Sequence, residues 1–164
     1  MNIAMSSEKV TIDLTVNGKP HSVSVEPREL LSQTLRERLG YTSLNIGCES
    51  TLCGACTVHT DGKAVKSCTR LTVQADGADV QTAASLSDDG VLSDLQTAFT
   101  EEHALQCGYC TPGIMMAVDE YLEDNPDPSR EEIRTEALQG NLCRCTGYEN
   151  IVDAIEVASD TLED

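Results

Sequence analysis

The chain has 164 residues, with 28 Asp and Glu against 11 Lys and Arg, a formal charge of −17; that length fits one ordinary domain or two small ones. Such a surface repels nucleic acid and anionic lipid, and no apolar run nears the roughly 18 residues of a membrane span, so neither nucleic acid nor membrane insertion is expected. Leu, Ile, Val and Phe supply only 36 residues, with one Phe and no Trp, so the core is thin and the eight cysteines are expected to help hold it.

The first residues, Met1 to Glu8, have no basic region followed by an apolar stretch, so no signal peptide is predicted and the chain is expected in the cytoplasm. Met5 is a second candidate start. Disulfides are disfavoured in that compartment, which makes metal ligation the first expectation for the cysteines. The acidic residues are spread over the whole chain and only four residues are Lys. An even spread predicts an evenly acidic surface suited to a high-salt cytoplasm, where salt screens self-repulsion. The alternative is an ordinary acidic electron carrier.

Val10, Ile12, Leu14 and Val16 alternate with polar residues, Asn17-Gly18 follows as a two-residue hairpin turn, and His21 to Val25 alternates again, which predicts two paired strands. Pro27 to Leu39 reads as a helix, with Leu31, Leu35 and Leu39 on one face and Gly40 as its stop. Thr57 to Thr60 and Ala64 to Lys66 flank Asp61-Gly62, a second hairpin, and Leu71 to Gln74 and Asp79 to Thr82 are short strand candidates. The first half therefore predicts a small mixed sheet with one helix across it. Residues 83–90 read as a linker.

Beyond it the pattern is helical. Leu92, Leu95, Ala98 and Phe99 define one face. Ile114, Ala117, Val118, Tyr121 and Leu122 follow helical spacing and end at Asn125-Pro126. Ser129 with Glu132 forms a capping box for a third helix, stopped by Gly140-Asn141. Ile151, Ala154, Ile155 and Ala158 mark a fourth. The fold class is thus α+β, a sheet domain over residues 1–82 followed by four helices over residues 91–164.

The cysteines fall into two sets. Cys48, Cys53 and Cys56 are spaced C-x4-C-x2-C, and Cys68 follows after eleven residues. That is the plant-type ligand pattern for a [2Fe–2S] cluster, in which one loop supplies three thiolates and a separate strand the fourth. Gly47 and Gly54 leave room for close backbone approach and amide donors to sulfur. A four-thiolate zinc knuckle is the competing reading, although zinc sites usually pair two C-x2-4-C units. The second set, Cys107 and Cys110 with Cys143 and Cys145, is by spacing ambiguous between zinc and iron. Its placement is more informative, because each pair lies between two predicted helices. Packing of the two helical hairpins brings both loops around one cofactor, with helix N-termini facing the negative charge of ligated thiolates.

Three stretches, Gly47-Cys48-Glu49-Ser50-Thr51-Leu52-Cys53-Gly54-Ala55-Cys56, Gln106-Cys107-Gly108-Tyr109-Cys110-Thr111-Pro112-Gly113 and Gly140-Asn141-Leu142-Cys143-Arg144-Cys145-Thr146-Gly147-Tyr148, resemble the iron–sulfur part of the molybdenum hydroxylase (xanthine oxidase) family. The match is to its separate small subunit, as in aerobic carbon monoxide dehydrogenases and bacterial aldehyde oxidoreductases, and covers about residues 10–155. The resemblance implies an N-terminal β-grasp ferredoxin-like domain and a C-terminal four-helix [2Fe–2S] domain, each with one cluster on its four cysteines. It implies a large partner subunit with molybdopterin and a medium one with FAD. Electrons would run from molybdenum through the helical-domain cluster and then the ferredoxin-like cluster to FAD. Gln106 and Cys145 would lie beside the pterin.

The chain has no G-x-G-x-x-G loop, no P-loop and no His pair suited to a Rieske centre. His103 is expected to be an exposed helix-end residue. No nucleophile–base set stands apart from the cysteines, so the chain is expected to move electrons and make no bonds itself. A free ferredoxin-like carrier and a zinc-stabilised interaction module are the alternatives.

Overall fold

The computed structural model describes residues 8–162; Met5 and the other residues before Glu8 lie outside them. Strand β1 (Val10–Val16) and β2 (Lys19–Val25) form an antiparallel hairpin with Val16 opposite Lys19. Asn17 and Gly18 both take positive φ, 48° and 73°, the turn whose twist matches that of paired strands. β3 (Thr57–Thr60) and β4 (Lys63–Lys66) repeat the device around Asp61 and Gly62, at φ 53° and 77°. β5 (Asp79–Gln81) runs parallel to β1 and antiparallel to β3, which joins the hairpins into one mixed sheet of order β2-β1-β5-β3-β4.

Ile12, Leu14, Val16, Val58 and Val80 put one sheet face against Leu31, Leu35 and Leu44. Leu31 and Leu35 come from α1, a single α-turn (Leu31–Gln33) that widens into a π-turn (Thr34–Arg38). The sequence places the start of this helix at Pro27. The structure delays it, because Leu30 is extended and bridges Leu71, while the Gln33 side chain accepts from the Leu30 amide. The strand expected over Leu71 to Gln74 is instead a 3-10 turn (Thr72–Ala75), in which the Gln74 side chain takes the Leu71 N–H at 3.1 Å. In both places a local side-chain acceptor takes up a backbone donor and so sets where regular structure begins.

The segment expected as a linker carries local structure. Ala83–Leu86 is a 3-10 turn with Ala83 buried, and Asp88 bridges Val91. Leu92 lies ahead of the next helix and is exposed, because Ser93 caps α2 (Asp94–Glu101) in a box with Gln96. α3 (Thr111–Asp124), α4 (Arg130–Glu132, continuing as a π-turn over Ile133–Ala137) and α5 (Glu149–Leu162) follow. Leu95, Phe99, Ile114, Val118, Ile133, Ile151 and Ile155 build a second core from these helices. Arg130 pairs with Glu149, Asp153 and Glu156, and Arg134 with Glu149, which ties α4 to α5.

The two halves meet where α3 lies on β3. His59 of β3 is buried and its Nε2 sits 2.6 Å from the Met116 carbonyl; since a carbonyl only accepts, Nε2 carries the proton. Its Nδ1 faces Asp119 at 3.8 Å, and Lys63 pairs with Glu120 at 3.3 Å. Gly54 and Gly113 let the backbones of this seam come close. A Cβ on Gly113 would stand 2.1 Å from the Gly54 carbonyl oxygen, and one on Gly54 would stand 2.2 Å from Asn141 Oδ1. Among the described residues no helix is long and apolar enough to cross a membrane.

Candidate metal centres

All eight cysteines are free thiols, and the structure gathers each predicted set. The first set is held by the loop 47–56 and by Cys68, which lies in a 3-10 turn after β4. Glu49, Thr51 and Gly54 take positive φ, 53°, 66° and 75°, and the curled backbone turns the amides of Ser50 and Cys53 onto Cys48 Sγ, each at 3.4 Å. Ser67 fixes the buried half of the site by donating its hydroxyl to the Cys56 carbonyl at 2.7 Å. A Cβ on Gly47 would stand 2.9 Å from Cys53 Sγ, so this glycine makes room for the sulfur. Gly54 does something else: its open side is taken by Asn141 and Gly140 of the second half.

The electrostatics of the first set divide its thiols. Hydrogen bonds from Ser50 and Cys53 bring the Cys48 pKa down to about 6. Burial pushes Cys56 up to about 11, with Cys68 beside it. Burial also lowers Lys66 of β4, while the sulfurs of Cys56, Cys53 and Cys68 pull the other way.

The second set comes from two inter-helix loops. Cys107 and Cys110 lie between α2 and α3, with Cys110 as the N-cap of α3; Cys143 and Cys145 lie between α4 and α5. Cys107 and Cys145 are exposed, their sulfurs 3.5 Å apart. Cys110 is raised to about 12 by burial and by its bond with Cys143. Burial works against ionisation of Cys143 too, but the Thr146 hydroxyl and nearby amides outweigh it and lower the pKa. Tyr148, at φ 70°, accepts the Cys143 N–H at 2.9 Å and donates to the Asn141 carbonyl, which sets the curl of this loop.

The thiols of each set therefore come as two neighbouring pairs: Cys48 with Cys53 and Cys56 with Cys68, then Cys107 with Cys145 and Cys110 with Cys143. Among the described residues no three His, Cys, Asp or Glu side chains converge to hold a single ion. A mononuclear zinc site needs four ligands on one point, whereas a binuclear cluster takes two thiolates per iron, and the paired donors fit the latter. Thr111 Oγ1, buried next to Cys110, has no partner among the described residues; acceptor sulfurs brought by a bound group would satisfy it.

Several contacts join the two sites that the sequence did not indicate. The Leu142 amide, one residue before Cys143, donates to the Cys53 carbonyl at 2.9 Å. Tyr109, inside the Cys107–Cys110 loop, donates its hydroxyl to the Ile46 carbonyl at 2.8 Å and accepts at its own carbonyl from Asn45 at 2.9 Å. Gln106 is exposed beside Cys107, and His103 is exposed past the end of α2.

Known proteins bear on these sites directly. Residues 14–87 match the family described as 2Fe-2S iron-sulfur cluster binding domain, and residues 82–156 the family described as [2Fe-2S] binding domain. The chain is thus a two-domain [2Fe–2S]-binding protein with an α+β fold. It is 50% identical over 155 residues to the nicotine 6-hydroxylase small subunit of Paenarthrobacter nicotinovorans, covering 94% of this chain and 93% of that protein. It is 42% identical over 144 residues to the aldehyde oxidoreductase of Megalodesulfovibrio gigas, covering 87% of this chain but 16% of that longer protein. The crystal structure of quinoline 2-oxidoreductase from Pseudomonas putida 86 superposes with a TM-score of 0.90 at 46% identity, covering 96% of this chain and 98% of that one. This chain belongs to the family of small iron–sulfur subunits of molybdenum hydroxylases.

Proposed function

We propose that this chain is the electron-transfer subunit of a cytoplasmic molybdenum-containing hydroxylase or dehydrogenase, and that it carries out no bond chemistry itself. A β-grasp ferredoxin-like domain over residues 1–82 holds one [2Fe–2S] cluster on Cys48, Cys53, Cys56 and Cys68. A short connection over residues 83–90 leads to a four-helix domain over residues 91–164, which holds the other on Cys107, Cys110, Cys143 and Cys145. Each bound cluster supplies a one-electron site that needs no proton. A large partner subunit holds molybdopterin and chooses the substrate, and a medium one holds FAD. Electrons enter at the exposed Cys107–Cys145 edge, beside Gln106, and leave past the Cys48 loop toward the flavin. The evenly acidic surface supports a high-salt cytoplasm.

The observation that carries this reading is the bonded link between the two sites. The Leu142 N–H to Cys53 carbonyl contact joins a residue next to one ligand set directly to a member of the other. The thiol pairs at either end, and the exposure of Cys107 and Cys145, suit a relay with one open edge. Iron and sulfide analysis of the purified chain tests it: about four of each are expected. A colourless protein holding zinc, or about two irons on well-folded material, overturns the two-cluster reading.

A further inference from the structure

Asn45 and Tyr109 lie 64 residues apart and neither is a ligand, yet each holds the other's loop. The chain of bonds starts at Arg36, in the π-turn of α1. Its guanidinium donates to the Thr42 carbonyl at 3.2 Å, to the Leu44 carbonyl, and to Asn45 Oδ1 at 3.4 Å. A guanidinium only donates, so the Asn45 oxygen must face it and the amide nitrogen is left to point elsewhere. That nitrogen donates to the Tyr109 carbonyl at 2.9 Å. The Asn45 N–H is fixed in turn on the Ala55 carbonyl at 3.0 Å, which pins this segment to the far arm of the first ligand loop.

Tyr109 sits between Cys107 and Cys110, directly after Gly108 at φ 76°. Its carbonyl accepts from Asn45, and its hydroxyl donates to the Ile46 carbonyl at 2.8 Å. These two bonds grip opposite ends of one rigid residue, the main chain and the phenol tip. One bond would leave a pivot, whereas two fix orientation as well as position. A Cβ on Gly47 would stand 3.8 Å from Tyr109 Cε1, so the ring lies along the approach to Cys48. Tyr109 is 50% exposed, so burial of its ring is a weak anchor and the polar bonds carry the attachment. The Cys143–Cys145 loop has its own tie to the first site, the Leu142 N–H on the Cys53 carbonyl. The Cys107–Cys110 loop is tied there by Tyr109 and Asn45.

We propose that Asn45 and Tyr109 are positioning residues that hold the two sulfur sites at a fixed separation and orientation, with Arg36 presetting the Asn45 amide. This role rests on the two-cluster reading above and adds to it the side chains that keep the second ligand loop in register with the first.

The test is EPR on the fully reduced, purified complex, with Tyr109→Phe, Asn45→Ala and the double variant beside the unaltered protein. With both clusters reduced, each carries an unpaired spin, and the mutual splitting of the two signals falls with the cube of their separation. The double variant is expected to weaken and smear that splitting while both signals keep their full spin count, with smaller changes of the same kind in each single variant. Amide hydrogen exchange over residues 44–48 should quicken about fivefold for each bond removed. Splitting unchanged in the double variant while the amides exchange faster makes the bonds a local brace and overturns the proposal. If the double variant loses a cluster, the single variants decide, and unchanged splitting in both of them overturns it too. Two full signals without mutual splitting in the unaltered complex overturn it while leaving two clusters standing; one signal there defeats the two-cluster reading and this role with it.

Discussion

The two sulfur sets offer similar donors by opposite means. The first is largely one curled loop, whose left-handed residues Glu49, Thr51 and Gly54 turn amides onto a sulfur, with Cys56 and Cys68 buried beneath. The second is split between two loops, each curled at its own left-handed residues, Gly108 in one and Gly147 and Tyr148 in the other. It exists because α2, α3, α4 and α5 pack around Phe99, Ile114, Ile133 and Ile151 and bring two distant loops together. Local backbone geometry makes the one and tertiary packing the other, so the first should survive damage to the helical core better than the second survives damage to the seam.

The largest effect is expected at the seam. Gly113→Ala places a Cβ against the Gly54 carbonyl, and overpacking of this kind costs about 3 kcal/mol. Denaturant unfolding should show that loss, with the second EPR signal weakened more than the first. An unfolding midpoint equal to that of the unaltered protein would mean the halves are not braced against each other here. Next, Cys53→Ala should remove the first EPR signal and about two irons while the second signal survives. If both signals vanished with the fold intact, the division into two ligand sets would be wrong.

A smaller, purely kinetic effect is expected at the open edge. Gln106→Ala in the assembled complex should slow reduction of the clusters by substrate, with both clusters still present in stopped-flow absorbance. Unchanged kinetics would favour a free carrier used by transient partners. The smallest effect is on acid stability. Hydrogen bonds and charge from Arg134 and Arg130 depress the Glu149 pKa, and Ser129 depresses that of Glu132. Folded-state pKa values below the unfolded ones contribute stability that is present above the ordinary carboxylate range and lost as pH falls through the depressed values. Acid titration of the helical half, followed by circular dichroism, should therefore show a modest loss there, reduced in Arg134→Ala.

The eight cysteines, both hairpins and the Ser129 capping box were legible because each is a local pattern: spacing, two turn residues, a cap three residues from its partner. The helix start at Leu31 and the 3-10 turn at Thr72 were not, because the Leu30–Leu71 bridge that decides them joins residues far apart in sequence. The linker read over residues 83–90 rests on composition, which does not show that small residues in it also pack, as Ala83 does. At the site, the ligand types were visible but not their company. Tyr109 reads as a residue between two cysteines, and Lys66 as the end of a strand. Only folding sets the first against Ile46 and the second against the Thr57 hydroxyl beside Cys56.

The contact between Gly54 and Gly113 has a mechanical consequence. Electron exchange falls steeply with separation, so thermal breathing between two redox domains would spread the rate over a wide range. Here Gly113 abuts the backbone of Gly54 and Ala55 with no room for a methyl group, and packed interiors yield little to pressure. A close-packed seam of this kind would restrain the two halves more tightly than a flexible tether. The timing of transfer should accordingly be narrow, and insensitive to viscosity, in any assembly that leaves this seam intact.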